Sequence, residues 1–130
     1  GANQVIGLVW MHPRPFMVSL GHAWLGHAAE SSFPSDHATV FAGVGLTLLF
    51  GGATRLAGAV LATGAAVAWA RVFLGVHFPL DMAGAVMAAW AAHAVASPLW
   101  KAAGEPLVRQ FERLYRALLA RPIAAGWVRP

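Results

Sequence analysis

The stretch LAGAVLATGAAVAWARVF, residues 56–73, carries no charge before Arg71 and has glycine or alanine at half of its positions. A helix that crosses a bilayer needs about 20 mostly apolar residues, because each adds about 1.5 Å against a hydrocarbon core about 30 Å thick. This run comes close to that length, and so do its two neighbours. The run from Ala38 to about Gly52 approaches it when the turn Ser35 to His37 is counted as its opening. The run from about Pro79 to Trp100 is uncharged after Asp81 and has Pro98 near its end. Gly51-Gly52 and Arg55 mark the connection between the first two. Residues Ala2 to His12 read as the last turns of an earlier helix, stopped by His12-Pro13-Arg14-Pro15, where prolines forbid helical continuation.

Small residues crowd all three runs, among them Gly43 and Gly45, then Gly58 and Gly64, then the alanines between Ala83 and Ala92. In lipid, apolar surface alone gives helices no drive to associate, and small side chains let backbones approach closely. The sequence therefore predicts an all-α fold, a polytopic membrane helix bundle with three spanning helices plus the end of an earlier one.

Composition agrees. Of the 130 residues 58% are hydrophobic and 11% charged, and the mean hydropathy is +0.61. A net charge of +4 and a pI near 11.2 raise the question of nucleic acid, but a binder needs a basic face. The middle of the chain has almost no charge to make one, so no nucleic-acid partner is predicted. With no cysteine there is no disulfide framework and no cysteine-based nucleophile or metal site. The chain opens in mid-pattern without an initiating methionine, and the reading is that of a piece of a longer protein.

Beyond Trp100 the character changes. Gly104-Glu105-Pro106 resembles a helix start, and Leu107, Phe111, Leu114, Tyr115, Leu118 and Leu119 recur at helical spacing. Arg109, Arg113 and Arg116 fall on the other face, and Glu112 lies four residues before Arg116. The pattern suits an interfacial helix on anionic lipid, or a helix that binds a partner. Two parts are thus predicted, a membrane-embedded domain over 1–100 and a basic amphipathic cytoplasmic tail over 101–130.

Successive spans put alternate helix ends on opposite faces of the membrane. One face collects His12, Arg14, His22, His27, Glu30, Ser35, Asp36, His37, Arg71, His77 and Asp81; the other receives Arg55, Lys101 and the arginines of the tail. By the positive-inside rule the second face is cytoplasmic and the first looks outward. Arg14 and Arg71 go against that rule, and an arginine retained against topological bias usually has an anion to hold.

Chemistry gathers on the same face. His77 and Asp81 are four apart across a helix start marked by Pro79, so the carboxylate can reach back to one imidazole nitrogen. Holding one nitrogen fixes the tautomer and leaves the other more nucleophilic. The same spacing also fits a purely structural pair, or part of a metal site. Pro34 and Ser35 precede an apolar run and mark a second helix start, with its unpaired N–H groups directed to the face of Arg14 and Arg71. Two arginines, a hydroxyl and a helix N-terminus suit a phosphate group, and His37 can donate a proton to a leaving oxygen. Alternatively Ser35 and Asp36 simply cap the helix.

Taken together, Arg14-Pro15, then Pro34-Ser35-Asp36-His37, then Arg71 with five residues before His77 and three more before Asp81, resemble in order and spacing the three signature motifs of the type 2 phosphatidic acid phosphatase superfamily. The wording HPRPF and ESSFPSDH, with aspartate where many relatives have glycine, is similar to the bacitracin-resistance branch that acts on undecaprenyl diphosphate. The resemblance implies a six-helix membrane bundle with its site near one surface, of which this chain is a part. It implies His77 as a phosphohistidine-forming nucleophile, Asp81 as its orienting partner and His37 as the acid for the leaving group. Arg14, Ser35 and Arg71 are implied to hold phosphate oxygens, with help from the Asp36 amide. No metal or other cofactor is implied; the partners are a lipid phosphate and the bilayer of the bacterial inner membrane.

Two positions depart from that pattern. Gly7 stands where the first motif has a lysine, seven before Arg14, and Ala70 stands where a serine precedes Arg71. His12 or Asn3 is a candidate to compensate for the lysine. Among the remaining residues, Glu30 reads as a solvated loop carboxylate or a partner of His37, and His22 and His27 as surface residues. His93 reads as bonded to nearby backbone. Trp10, Trp24, Trp69 and Trp100 read as interfacial anchors and Trp90 as packing.

Overall fold

The computed structural model describes residues 2–20, 24, 26 and 28–127. Among them there is no strand. Helix α1 (Ala2–Val9) is followed by a short 3-10 turn (Pro15–Val18), and then come α2 (Asp36–Phe50), α3 (Thr54–Phe73) and α4 (Pro79–Leu99). A π turn (Trp100–Gly104) leads to α5 (Glu105–Leu118) and α6 (Ala120–Ala124). The chain divides into two compact units, Gly1–His93 and Ala94–Pro130.

In the first unit α2 and α3 lie along each other, and glycine explains how closely. A Cβ at Gly64 would sit 2.6 Å from the Phe41 Cβ, and one at Gly45 would collide with the Leu61 side chain. Gly45 and Gly64 thus mark the helix seam, as predicted, whereas Gly43 and Gly58 face open space. The Phe41 Cβ cannot swing away, so even a methyl group at position 64 forces the helices apart. Gly64→Ala is expected to destabilise the detergent-solubilised protein by about 1–3 kcal/mol, seen as a lower thermal unfolding midpoint.

Helices α2, α3 and α4 border an apolar cavity of about 140 Å³, lined by Ala38, Phe41, Leu61, Ala68, Met82 and Val86. Outward from this seam the helices are apolar. Val40, Leu56, Trp69, Leu80, Met87 and Val95 are all more than half exposed. So many exposed large apolar side chains fit contact with lipid.

Two expectations need correcting. Among the described residues two stretches, not three, are long and apolar enough to cross a membrane: Thr54–Phe73, and helical residues within Pro79–Leu118. At 15 residues α2 reaches about 22 Å at about 1.5 Å per residue, short of the hydrocarbon core. Pro98 lies inside α4 one residue from its end, where the sequence placed it. Proline removes one donor and crowds the preceding turn, and the wider π turn that follows shortly after is a way to absorb such a local defect. The helix start read at Gly104-Glu105-Pro106 is where α5 begins, and it is reached through continuous helical backbone, Gly104 having φ -68 and ψ -50 and no side chain capping it. Finally Trp90 is 59% exposed and does not pack among the described residues.

In the second unit α5 has the expected two faces. Leu107, Phe111 and Leu118 are exposed on one, while Arg109, Glu112, Arg113 and Arg116 line a shallow cleft on the other. The ion pair that forms along it is Glu105 with Arg109, 3.9 Å apart, where Glu112 with Arg116 was expected. Both partners are well exposed, so the pair contributes little to stability.

Candidate active site

The end of α3 sets the geometry. Gly75 adopts φ +70, a left-handed conformation that favours glycine, and the turn is closed by bonds from Gly75 N–H to Val72 O (3.0 Å) and from Val76 N–H to Arg71 O (3.2 Å). This reversal sends His77 back toward the bundle two residues before Pro79 opens α4. In the first turn of α4, the Asp81 Oδ2 accepts the Phe78 N–H at 2.8 Å and lies 3.3 Å from His77 Nδ1. His77 is 4% exposed and Asp81 1%. The four-residue spacing read from the sequence therefore produces a real contact across a helix start.

Arg14 approaches from the proline-rich segment and is also buried, at 6% exposed. Its Nε–H donates to Glu30 O (3.2 Å), Nη2 to Ser31 O (3.3 Å) and Nη1 to Val76 O (3.1 Å). Nη1 also lies 3.4 Å from His77 Nε2. A guanidinium has only donors, so the nitrogen facing it offers a lone pair, and the imidazole proton belongs on Nδ1 beside Asp81. Nε2 is thereby left as a base and nucleophile next to a cation. Such a nitrogen is set to attack an electrophile that carries negative charge.

Burial first, and then the charge of Arg71, pushes the proton affinity of Arg14 below the ordinary guanidinium value, while Glu30, Asp81 and Asp36 act the other way. Two guanidinium groups thus share one region at an energetic cost that a bound anion would relieve. Arg71 itself is half-buried in the last turn of α3. His37 is exposed in the first turn of α2, and Arg71 and His77 are both near enough to act on it electrostatically.

The segment before α2 docks onto this pair. Ser35 N–H points to Asp81 O at 3.4 Å. Ser35 occupies the position before α2 in extended conformation, yet its side chain makes no capping bond. The hydroxyl is fully buried and meets no hydrogen-bond partner among the described residues. The simple capping alternative is therefore not what the side chain does. Asp36 is exposed, and its Oδ1 accepts from Asn3 Nδ2 at 2.8 Å; the same nitrogen lies 2.9 Å from Thr39 Oγ1. Asn3 is thus engaged with the start of α2. A Cβ at Gly7 would lie 3.1 Å from the Ser31 Cβ, so a longer side chain there is crowded by the segment that Arg14 grips. A cavity of about 410 Å³ opens beside Arg14, edged by Asn3, Gly7, Glu30, Phe33 and Asp36.

One residue of this constellation escaped the sequence reading. Ser32 is fully buried; its Oγ donates to Asp81 Oδ2 in a short contact and lies 3.3 Å from His77 Nδ1. Other candidates fall away. Glu30 is exposed and contributes its carbonyl, and His12 Nδ1 lies 3.1 Å from Pro13 O. His93 stacks on Phe50 with ring centroids 4.8 Å apart, and bonding to backbone is not what holds it. His22 and His27 lie outside the described residues.

A helical bundle of membrane-like surface that holds a buried arginine, histidine and aspartate in contact has a counterpart among known families. The PAP2 superfamily profile matches residues 1–105, and the chain belongs to that superfamily. YbjG of Escherichia coli (strain K12), provisionally named an undecaprenyl-diphosphatase, is 39% identical over 127 residues, 98% of this chain and 64% of that protein. Undecaprenyl-diphosphatase BcrC of Bacillus subtilis (strain 168) is 33% identical over 87 residues, covering 67% of this chain and 45% of that protein. A Bacillus licheniformis protein named bacitracin transport permease protein BcrC is 37% identical over 122 residues, 92% of this chain and 58% of that one. The chain thus spans between 45% and 64% of the length of these curated relatives. No solved structure matches it.

Proposed function

We propose that this chain carries the catalytic site of a membrane lipid phosphatase that converts undecaprenyl diphosphate to undecaprenyl phosphate and phosphate. The observation that carries the reading is the placement of His77 Nε2: a lone pair 3.4 Å from the Arg14 guanidinium, with the opposite nitrogen facing a buried carboxylate. Membership of the superfamily and the names of two relatives support the substrate class.

In the proposed reaction Arg14 and Arg71, with the Ser35 hydroxyl and the Asp36 amide, hold the oxygens of the terminal phosphate. The Nε2 lone pair of His77 forms a bond to phosphorus as the bridging P–O bond breaks, and His37 gives its proton to the departing lipid phosphate oxygen. Asp81 stabilises the positive charge that the ring acquires when Nε2 is phosphorylated and Nδ1 keeps its proton. His37, now neutral, takes a proton from water; the resulting hydroxide oxygen bonds to phosphorus, the N–P bond breaks and phosphate departs. Both histidines regain their starting states.

The apolar cavity between α2, α3 and α4 begins beside the site, since Ala38 and Met82 directly follow His37 and Asp81. It is a fitting place for the first part of a polyprenyl tail. Residues 1–100 form the membrane-embedded domain in this reading. Arg55, Lys101 and the amphipathic tail face the cytoplasm, and the site opens to the periplasmic side of the inner membrane.

The test is phosphate release from undecaprenyl diphosphate and from phosphatidic acid side by side, with and without vanadate. Preferred turnover of the diphosphate, blocked by vanadate, is the expected result. Preference for phosphatidic acid assigns the same chemistry to a glycerophospholipid. Absence of release from both contradicts the phosphatase reading and favours the transport role named for the Bacillus licheniformis relative.

A further inference from the structure

We infer that Ser32 is a positioning residue for the nucleophile, holding the imidazole of His77 and the carboxylate of Asp81 in one orientation through a single hydroxyl. The inference rests on the phosphatase reading of the site. It begins from burial: Ser32 is 0% exposed, and its partners His77 and Asp81 are 4% and 1% exposed. A hydroxyl in such a place is stabilised only by partners within the protein.

The Ser32 hydroxyl finds them in the pair itself. It has one proton, and the short contact to Asp81 Oδ2 takes it, because an ionised carboxylate can only accept. The oxygen lone pairs then face His77 Nδ1 at 3.3 Å, the same separation at which Nδ1 meets Asp81 Oδ2. The Nδ1 proton is therefore shared between a hydroxyl and a carboxylate oxygen. Asp81 Oδ2 in turn gathers three donors, from Ser32, His77 and the Phe78 N–H. Removing one member of so compact a network frees the other two to rotate, which is how partners behind a reacting group influence it.

The backbone of Ser32 is fixed as well. Its N–H donates to His12 O at 2.7 Å, two residues before Arg14, and the carbonyl of adjacent Ser31 accepts from Arg14 Nη2. The same short segment thus locates the guanidinium on one side of the imidazole and the hydroxyl on the other. Ser32 cannot touch a phosphate bonded to Nε2, because it lies on the Nδ1 edge. Its effect passes through His77 alone, and it should appear in turnover and leave substrate affinity unaltered.

Phosphate release from undecaprenyl diphosphate in detergent tests this, using wild type, Ser32→Ala, Ser32→Cys, Ser32→Thr and His77→Ala, each checked for its thermal unfolding midpoint. Ser32→Ala is expected to lower kcat about 10- to 100-fold, the order of one hydrogen bond to a charged group, with KM within about twofold. Ser32→Thr keeps the hydroxyl and should retain most of kcat, whereas Ser32→Cys keeps the size with a weak hydrogen-bonding group and should lose it. Nitrogen NMR of labelled histidine should find the Nδ1–H tautomer at position 77 in wild type and a mixture in Ser32→Ala. Full kcat in folded Ser32→Ala or Ser32→Cys overturns the proposal, as does a rise in KM with kcat unchanged. If His77→Ala releases phosphate normally, the histidine-nucleophile reading fails and takes this inference with it. If His77→Ala is inactive while the Ser32 variants are fully active, this inference alone fails.

Discussion

His77→Ala is expected to lower phosphate release by about 1,000-fold or more, the order seen when an enzyme loses its nucleophile. The argument is geometric. Nε2 is the only ring nitrogen of His77 left with a lone pair when Nδ1–H donates to Asp81 and Ser32, and it faces the Arg14 guanidinium at 3.4 Å. Deleting the ring removes the group to which phosphorus bonds in the proposed reaction, while Arg14 keeps its three carbonyl partners. The protein should therefore remain folded and still bind vanadate weakly through its cations. Measured release from undecaprenyl diphosphate that stays within about tenfold of wild type would show that the lone pair is not the attacking group.

Arg14→Lys is the second large effect, because Arg14 performs two tasks that an ammonium cannot combine. Its planar fork joins Glu30 O, Ser31 O and Val76 O, so it ties the segment before α2 to the segment before α4, and it adds positive charge beside Nε2. A lysine has one point charge on a flexible stem and cannot reach three carbonyls in a fixed plane. At least one buried carbonyl then loses its partner, at a cost of about 1–3 kcal/mol. The two segments are also free to drift, and misplacement of reacting groups by about 1 Å can cost about 100-fold in rate. A fall of about that size in kcat/KM, together with a lower unfolding midpoint, is expected. If the lysine variant keeps wild-type kcat/KM, Arg14 neither clamps the site nor holds the phosphate.

How much of this was legible in the sequence depends on the range of each interaction. The contact of His77 with Asp81 was readable because both lie within one helix start, where four positions bring side chains together and Pro79 fixes the phase. The helix seam was readable from Gly45 and Gly64, since only close approach explains so many small residues in lipid-facing runs. Ser32 was not, because 45 positions separate it from His77 and a serine next to another serine carries no periodic signal. Nor was the clamp formed by Arg14: its partners are backbone carbonyls, which every residue has. A basic residue against the topological bias suggested an anion, and the structure adds that most of its donors already serve the protein. The shortness of α2 was nearly readable, and its reach came up short because Asp36 begins the helix and Gly51 ends it. Pro98 was readable as lying near the end of its run, whereas the π turn just beyond it was not, because a proline in an apolar helix is tolerated where a neighbouring turn can widen.

In the proposed reaction phosphorus passes through a covalent bond to His77. Turnover of undecaprenyl diphosphate labelled at its terminal phosphate, quenched in base to preserve an N–P bond, followed by mass spectrometry of the peptide spanning residue 77, tests it most directly. Label is expected on His77 during turnover of wild type and none in His77→Ala. Label on another residue, or full turnover with no labelled protein at any quench time, would contradict it.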